Sequence, residues 1–186
     1  MKKLTSTILI LFVSLGLFAQ QDTLPDPKLP FDPETQTVEY SKVIHVKGTK
    51  NQLFNRCVYW LNNYYKSPTR VTQIRDLPTG KILGKHFFSL YTTDTVDNVK
   101  KKTAKVFYTF TVVFKDGRYK WEINELEVIS GRKVPIAEML NKNDTMYRKK
   151  WKSYLIQIND FIESWSGNLE QKMQPETTGK KEEDDW

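Results

Sequence analysis

Phe110-Thr111-Val112-Val113-Phe114-Lys115-Asp116-Gly117-Arg118-Tyr119-Lys120-Trp121-Glu122-Ile123 is best read outward from its centre. An Asp-Gly pair suits a type I′ turn, whose twist matches that of two antiparallel strands. A two-residue loop then sets the register. Lys115 faces Arg118, Phe114 faces Tyr119, Val112 faces Trp121 and Phe110 faces Ile123. Side chains alternate along a strand, so the apolar residues of these pairs all fall on one face. The other face pairs Val113 with Lys120, Thr111 with Glu122 and Thr109 with Asn124. Turn chemistry and alternation specify the same hairpin. Past Glu125 the alternation slips, with Leu126 and Val128 the next apolar positions. A β-bulge near Asn124–Glu125 accounts for the slip.

Upstream, Val38, Tyr40, Ile44 and Val46 mark a first strand over about 37–46. Thr49 and Gln52 fit a capping box for a helix over 50–66, whose buried stripe is Leu53, Cys57, Trp60, Leu61 and Tyr64. Ser67-Pro68 ends it. Strands follow near 70–75 and 80–91, joined by the turn Leu77-Pro78-Thr79-Gly80. Residues 92–103 read as a long exposed loop, and 130–143 as a connector with a short amphipathic turn around Pro135, Ile136, Met139 and Leu140. Asp144 or Thr145 is placed to cap a helix over 146–166, striped by Tyr147, Trp151, Tyr154, Leu155, Ile158, Phe161, Ile162 and Trp165, with Gly167 as its stop.

The resulting order is β-α-β-β-β-β-α. It predicts an α+β, two-layer domain over 37–166, a curved antiparallel sheet with its helices on one face. The first helix crosses the sheet, which places the first strand beside the last. Residues 20–36 carry Pro25, Pro27, Pro30 and Pro33 and read as a proline-rich arm. Residues 167–186 are polar and are expected to be a disordered tail.

Several of these segments resemble a bacterial exported family of unknown function, domain of unknown function 4468, described as having a TATA-binding-protein-like fold. The residues that carry the resemblance are Val38-Glu39-Tyr40-Ser41-Lys42-Val43-Ile44, Gly48, and Lys50 through the Leu53–Trp60–Leu61 helix. Gly80-Lys81-Ile82-Leu83-Gly84 and Phe114 to Tyr119 add to it. The resemblance covers roughly residues 37–130 and implies a fold. It brings no catalytic residues, and a shape named after a DNA-binding protein does not imply DNA binding.

The first residues speak to the compartment. Lys2 and Lys3 precede an apolar run of 11 residues, Ile8 to Phe18, and then Ala19. This pattern predicts a signal peptide over 1–19 and an exported protein, periplasmic or secreted, with no transmembrane span after cleavage. Cys57 is the only cysteine, so an intramolecular disulfide is excluded and the fold must rest on its core. Residues 37–173 hold 24 basic and 13 acidic side chains, while both flanks are acidic. A basic body of this kind is suited to an anionic surface. Nucleic acid is not the expected target, because export removes the usual substrates and the aromatic residues follow core periodicity.

Residue types that carry catalysis are scarce. His45 and His86 both lie in predicted strands, and His86 keeps step with core residues, as a satisfied core histidine would. Two histidines and one cysteine at long spacing make no zinc signature. No Gly-x-Ser-x-Gly elbow, phosphate loop or dinucleotide fingerprint occurs. Cys57 sits on a buried stripe, where a thiol is inert. Glu122 and Glu125 are close in sequence, but nothing selects them over solvated strand acids. No cofactor is expected, and the reading is non-enzymatic.

The outer face of the sheet is the candidate interaction face. Leu83, Phe87, Tyr91, Phe107, Thr109, Thr111 and Val113 share it if the helices cover the other side. That is more apolar than a solvated antiparallel face usually is. Three covers are open: the chain's own arm through Leu29 and Phe31, a second subunit or envelope protein, or a curled sheet enclosing a lipid-sized cavity. The expected role is a binding module for an envelope protein or an anionic surface component. The alternatives are a carrier of a small apolar or lipid ligand between sheet and helix, and an unrecognised hydrolase.

Overall fold

The structure, a computed structural model, describes residue 27, residues 29–93 and residues 98–175. The expected signal peptide 1–19, residues 20–26 and 28 of the proline-rich arm, and residues 176–186 of the tail lie outside the described residues.

Strand β6 (Lys100–Lys115) and strand β7 (Arg118–Ser130) pair in the register set by the Asp116-Gly117 turn, with Phe114 opposite Tyr119, Val112 opposite Trp121 and Phe110 opposite Ile123. The turn type differs from the expected one. Only Gly117 takes a positive φ, +72°, whereas type I′ needs both central residues there. The cause is a neighbouring helix, α1 (Lys50–Tyr64). The Asp116 carboxylate accepts the Lys50 amide at 2.6 Å, Gly117 N–H donates to the Gly48 carbonyl at 2.9 Å, and the Gly117 carbonyl accepts from Val46 at 3.0 Å. The turn thus satisfies an orphan amide at the start of α1 instead of standing free in solvent. The expected bulge is present: Thr109 opposes Asn124 while Phe107 opposes Glu127, and Glu125 has φ +50°.

Strand β3 (Tyr40–His45) runs antiparallel beside β7, Tyr40 opposite Ile123, as the crossing helix requires. On the other side β6 pairs with β5 (Lys81–Thr93), and β5 with β4 (Thr72–Asp76). The sheet order is β3-β7-β6-β5-β4, and β8 (Arg132–Pro135) joins β7 at Glu127–Ser130. A two-stranded ribbon, β1 (Phe31–Asp32) with β2 (Thr37–Val38), precedes it.

Helices α1 and α4 (Lys150–Lys172) bury their apolar stripes against one face of the sheet. Thr49 and Gln52 form the expected capping box. At the centre, Trp165 meets Trp60, Phe110 and Trp121 with ring centroids 5.3, 5.5 and 6.0 Å away. The α+β architecture with an antiparallel sheet is therefore the one the sequence predicts.

Five local expectations are corrected. Pro68 starts a single helical turn, α2 (Pro68–Val71), because its fixed φ suits a first helical position, so the strand expected near 70–75 begins only at Thr72. Both ends of the expected loop 92–103 are strand, since β5 runs to Thr93 and β6 starts at Lys100, while residues 94–97 lie outside the described residues. The connector 130–143 contains the expected amphipathic turn as a short helix, α3 (Ile136–Leu140), and adds an unexpected strand, β8. Helix α4 begins at Lys150 without a side-chain cap; Asp144 accepts the Met146 amide in a local turn instead. It also runs through Gly167, which is exposed, because Leu169 and Met173 continue the stripe into the core.

Candidate functional site

Strand β4 follows β5 only as far as the Thr72–Gly84 pair. Gly84 is required there. A Cβ at that position would stand 2.3 Å from Cζ of Phe110 and 3.0 Å from the Val71 carbonyl oxygen. Beyond Gly84, among the described residues, no strand borders the outer side of β5. A cleft of about 920 Å³ opens along this stretch. Tyr64, Tyr65, Lys66 and Arg70 bound it from α1 and α2, Phe161 from α4, and His86, Phe87, Phe107, Tyr108 and Glu125 from the sheet. Lining residues come from both faces of β5, so the cleft wraps around the edge of the strand.

Its inner wall is fixed by a hydrogen-bond chain. Trp165 Nε1–H donates to Tyr65 Oη at 2.8 Å, and the Tyr65 and Tyr108 hydroxyls share a bond at 3.1 Å. Burial pushes both phenols well above their ordinary range, so they stay protonated. Phe161 stacks on Phe88 at 3.8 Å, and His86 stands edge-on to Tyr65 at 5.0 Å. His86 is half-buried on the cleft wall, not the core histidine expected, and desolvation lowers its pKa. The strand alternation that placed it in step with the core is correct. The sheet edge opens to solvent at that point.

The outer wall is charged. Thr109 Oγ1–H donates to Glu125 Oε2 at 2.6 Å and Lys85 Nζ donates to the same oxygen at 2.9 Å. These two bonds, Thr109 first, lower the pKa of Glu125. Lys105 holds its ammonium 4.8 Å from the Phe87 ring centroid. Lys66 and Arg70 make no ion pair among the described residues.

The seven residues of the candidate face separate into three groups. Phe87 and Phe107 are opposite each other, rings 5.4 Å apart, 37% and 40% exposed. Tyr91 is exposed on the same strand, where β5 and β6 fall out of register. Leu83, Thr111 and Val113 are half-buried, and Thr109 is only 6% exposed, next to Glu125. Leu29 and Phe31 pack on the main core and leave Phe87 and Phe107 open. Glu122 and Glu125 do not form a pair, since Glu122 binds Lys120. Cys57 is fully buried and desolvation raises its pKa, so the thiol is inert. Among the described residues, no three His, Cys, Asp or Glu side chains gather as metal ligands, and no helix is long and apolar enough to cross a membrane. Sequence reasoning missed Tyr65, Lys66, Arg70 and Phe161 as site residues. Phe161 had been read into an apolar stripe, and the only trace of the others was the Tyr64-Tyr65-Lys66 run closing a helix.

Residues 40–128 match the model of a family described as a domain of unknown function (DUF4468) with TBP-like fold. The match takes in 89 of the 186 residues, and the likeness to this family is carried by that span. The matched span runs from β3 to Val128 in β7 and contains every lining residue named above except Phe161. Two solved structures share the DUF4468 and TBP-like shape. A DUF4468 family protein from Bacteroides ovatus aligns with 81% of this chain and 94% of its own, at 18% identity and a TM-score of 0.63. A TBP-like protein from Parabacteroides distasonis aligns with 74% of this chain and 92% of its own, at 17% identity and a TM-score of 0.61. At such identities the likeness concerns fold. No curated protein matches the chain.

Proposed function

We propose that this domain is a non-enzymatic binding module of an exported protein, and that its working surface is the Phe87–Phe107 face with the adjoining cleft. The observation that carries this reading is the exposed aromatic pair. Two phenylalanines side by side and more than a third exposed lose free energy to water in isolation, and such patches mark interaction sites. The surrounding Lys66, Arg70 and Lys105 favour an anionic partner, either an envelope protein or an anionic surface component. The cleft offers stacking and charge attraction. The burial of Cys57 and the hold of Thr109 and Lys85 on Glu125 support binding over chemistry.

The test is capture of partners from the native envelope with the intact protein and with a Phe87→Ala, Phe107→Ala variant. A partner retained equally by both would remove this reading. A second reading rests on the inner wall. Tyr64, Tyr65, Tyr108 and Phe161 give an aromatic wall to a cleft whose volume as a whole falls in the range of small-ligand sites, which suits a carrier of a small apolar molecule. Native mass spectrometry of protein purified from its own cells would show a bound small molecule if this reading holds.

A further inference from the structure

The two outer edges of the sheet are treated differently. Along β7 the edge is filled by two strands in succession, β3 against Arg118–Ile123 and β8 against Glu127–Ser130. Along β5, among the described residues, the edge is filled by one, β4 against Lys81–Gly84. Seven residues further on, the side-chain amide of Gln157 takes the place of a strand. It accepts the Tyr91 amide at 3.0 Å and donates to the Tyr91 carbonyl at 2.9 Å. Both Tyr91 backbone groups therefore point away from β6. In an antiparallel ladder this orientation alternates, so Phe87 and Ser89 present their N–H and C=O groups on the same outer side. The gap from Gly84 to Tyr91 is roughly 24 Å at about 3.4 Å per residue. Its first part, Lys85 to Phe87, lines the cleft.

We propose that this bare edge is a strand-addition site for an extended acidic peptide, which would continue the sheet in line with β4. This deepens, and rests on, the reading of the Phe87–Phe107 face as a binding surface. Up to about four backbone hydrogen bonds are available at Phe87 and Ser89. Alternate side chains of the guest would point to the exposed Phe87–Phe107 rings and to the Tyr64–Phe161 recess. The guest's sign follows from the rim. Among the described residues Lys66, Arg70 and Lys105 make no ion pair, while the two acids beside them, Glu125 and Glu127, are held by Lys85 and Lys133. The same cations disfavour a second copy, whose edge would bring its own Lys66, Arg70 and Lys105 against them.

The probe is a synthetic ten-residue peptide alternating valine and glutamate, added to the whole protein and followed by amide hydrogen exchange and calorimetry. Exchange at the Phe87 and Ser89 amides should slow at least about tenfold on saturation, with Phe88 and Leu90, which face β6, unchanged. Affinity should fall at least about fivefold when alternate peptide amides are N-methylated, when lysine replaces glutamate, or when the protein carries Lys66→Glu with Arg70→Glu. Ser89→Pro removes an amide that points away from β6 and should abolish binding; the N-methylated peptide gives the same answer without altering the protein. Equal affinity for the methylated peptide, or saturation without protection at Phe87 and Ser89, overturns strand addition. So does a concentration-dependent dimer that protects the same amides, or no binding up to about 1 mM peptide. A partner lost in the Phe87→Ala, Phe107→Ala variant alongside any of these leaves the binding surface standing and removes only the strand.

Discussion

Gln157 lays its side-chain amide across the backbone of Tyr91, satisfying both its N–H and its C=O from a helix. Ser153 steadies the arrangement, its carbonyl and hydroxyl both accepting from Nε2 at 3.3 and 3.2 Å. An exposed strand edge invites pairing with other chains, and here one residue of that edge is covered without adding a strand. Gln157→Glu keeps an acceptor but removes the donor and sets a carboxylate beside a carbonyl. The expected loss is about 1–2 kcal/mol in urea unfolding, and Gln157→Ala should cost a similar amount. Midpoints unchanged in both variants would mean that water replaces the amide at no cost.

Glu125 combines a strained backbone with a specific contact. Its φ of +50° is a left-handed conformation that a residue with a Cβ adopts at a cost of about 1–2 kcal/mol. Its carboxylate answers Thr109, whose hydroxyl belongs to a side chain almost wholly buried. Glu125→Ala keeps the strain and loses the contact, so it should destabilise by about 1–3 kcal/mol. Glu125→Gly also loses the contact but relieves the strain, and should be the more stable of the two by about 1 kcal/mol. Thermal unfolding of the pair measures the difference. If the alanine variant is equal or better, the bulge is not strained at this residue.

The hairpin was legible because two local signals agreed, a Gly in the turn and alternation on both sides of it. The bulge was legible for the same reason, since Leu126 and Val128 sit one step out of phase. What escaped depended on distant partners. Asp116 forgoes the positive φ of a type I′ turn because Lys50, 66 residues earlier, needs an acceptor. Gly167 fails to stop α4 because Leu169 and Met173 have a core to enter. The candidate site was half legible. Phe87 and Phe107 follow from alternation, whereas the cleft exists because β4 is short, and nothing in residues 72–76 announces where the pairing ends.

Gly84 tests the packing behind the cleft. Any side chain here drives into the Phe110 ring, which is fully buried against Tyr65 and Trp165. Gly84→Ala should destabilise by about 1–3 kcal/mol, the usual cost of overpacking. A compensating Gly84→Ala, Phe110→Leu variant should recover part of it, which urea unfolding of the three proteins would show. Equal stability of the single variant and the wild type would mean that the ring moves aside freely.

His86 gives the cleft a pH response with a definite sign. Desolvation lowers its pKa below the ordinary 6.5, so the folded state prefers the neutral ring. Below pH 6.5 the unfolded chain binds a proton that the folded chain resists, and stability therefore falls as pH drops from 6.5 towards the folded pKa, then levels off. Glu125 acts in a separate, lower window. Its pKa is held below the ordinary 4.5, so its contribution is complete above that value and is lost as pH falls beneath it. The two windows can be told apart by substitution. His86→Gln should flatten the upper slope and leave the lower one, while Glu125→Gln should do the reverse. The measurement is unfolding free energy against pH from about 7 to 3 for all three proteins. An upper slope that survives His86→Gln would assign it to another group and would place the His86 ring in contact with water on the cleft wall.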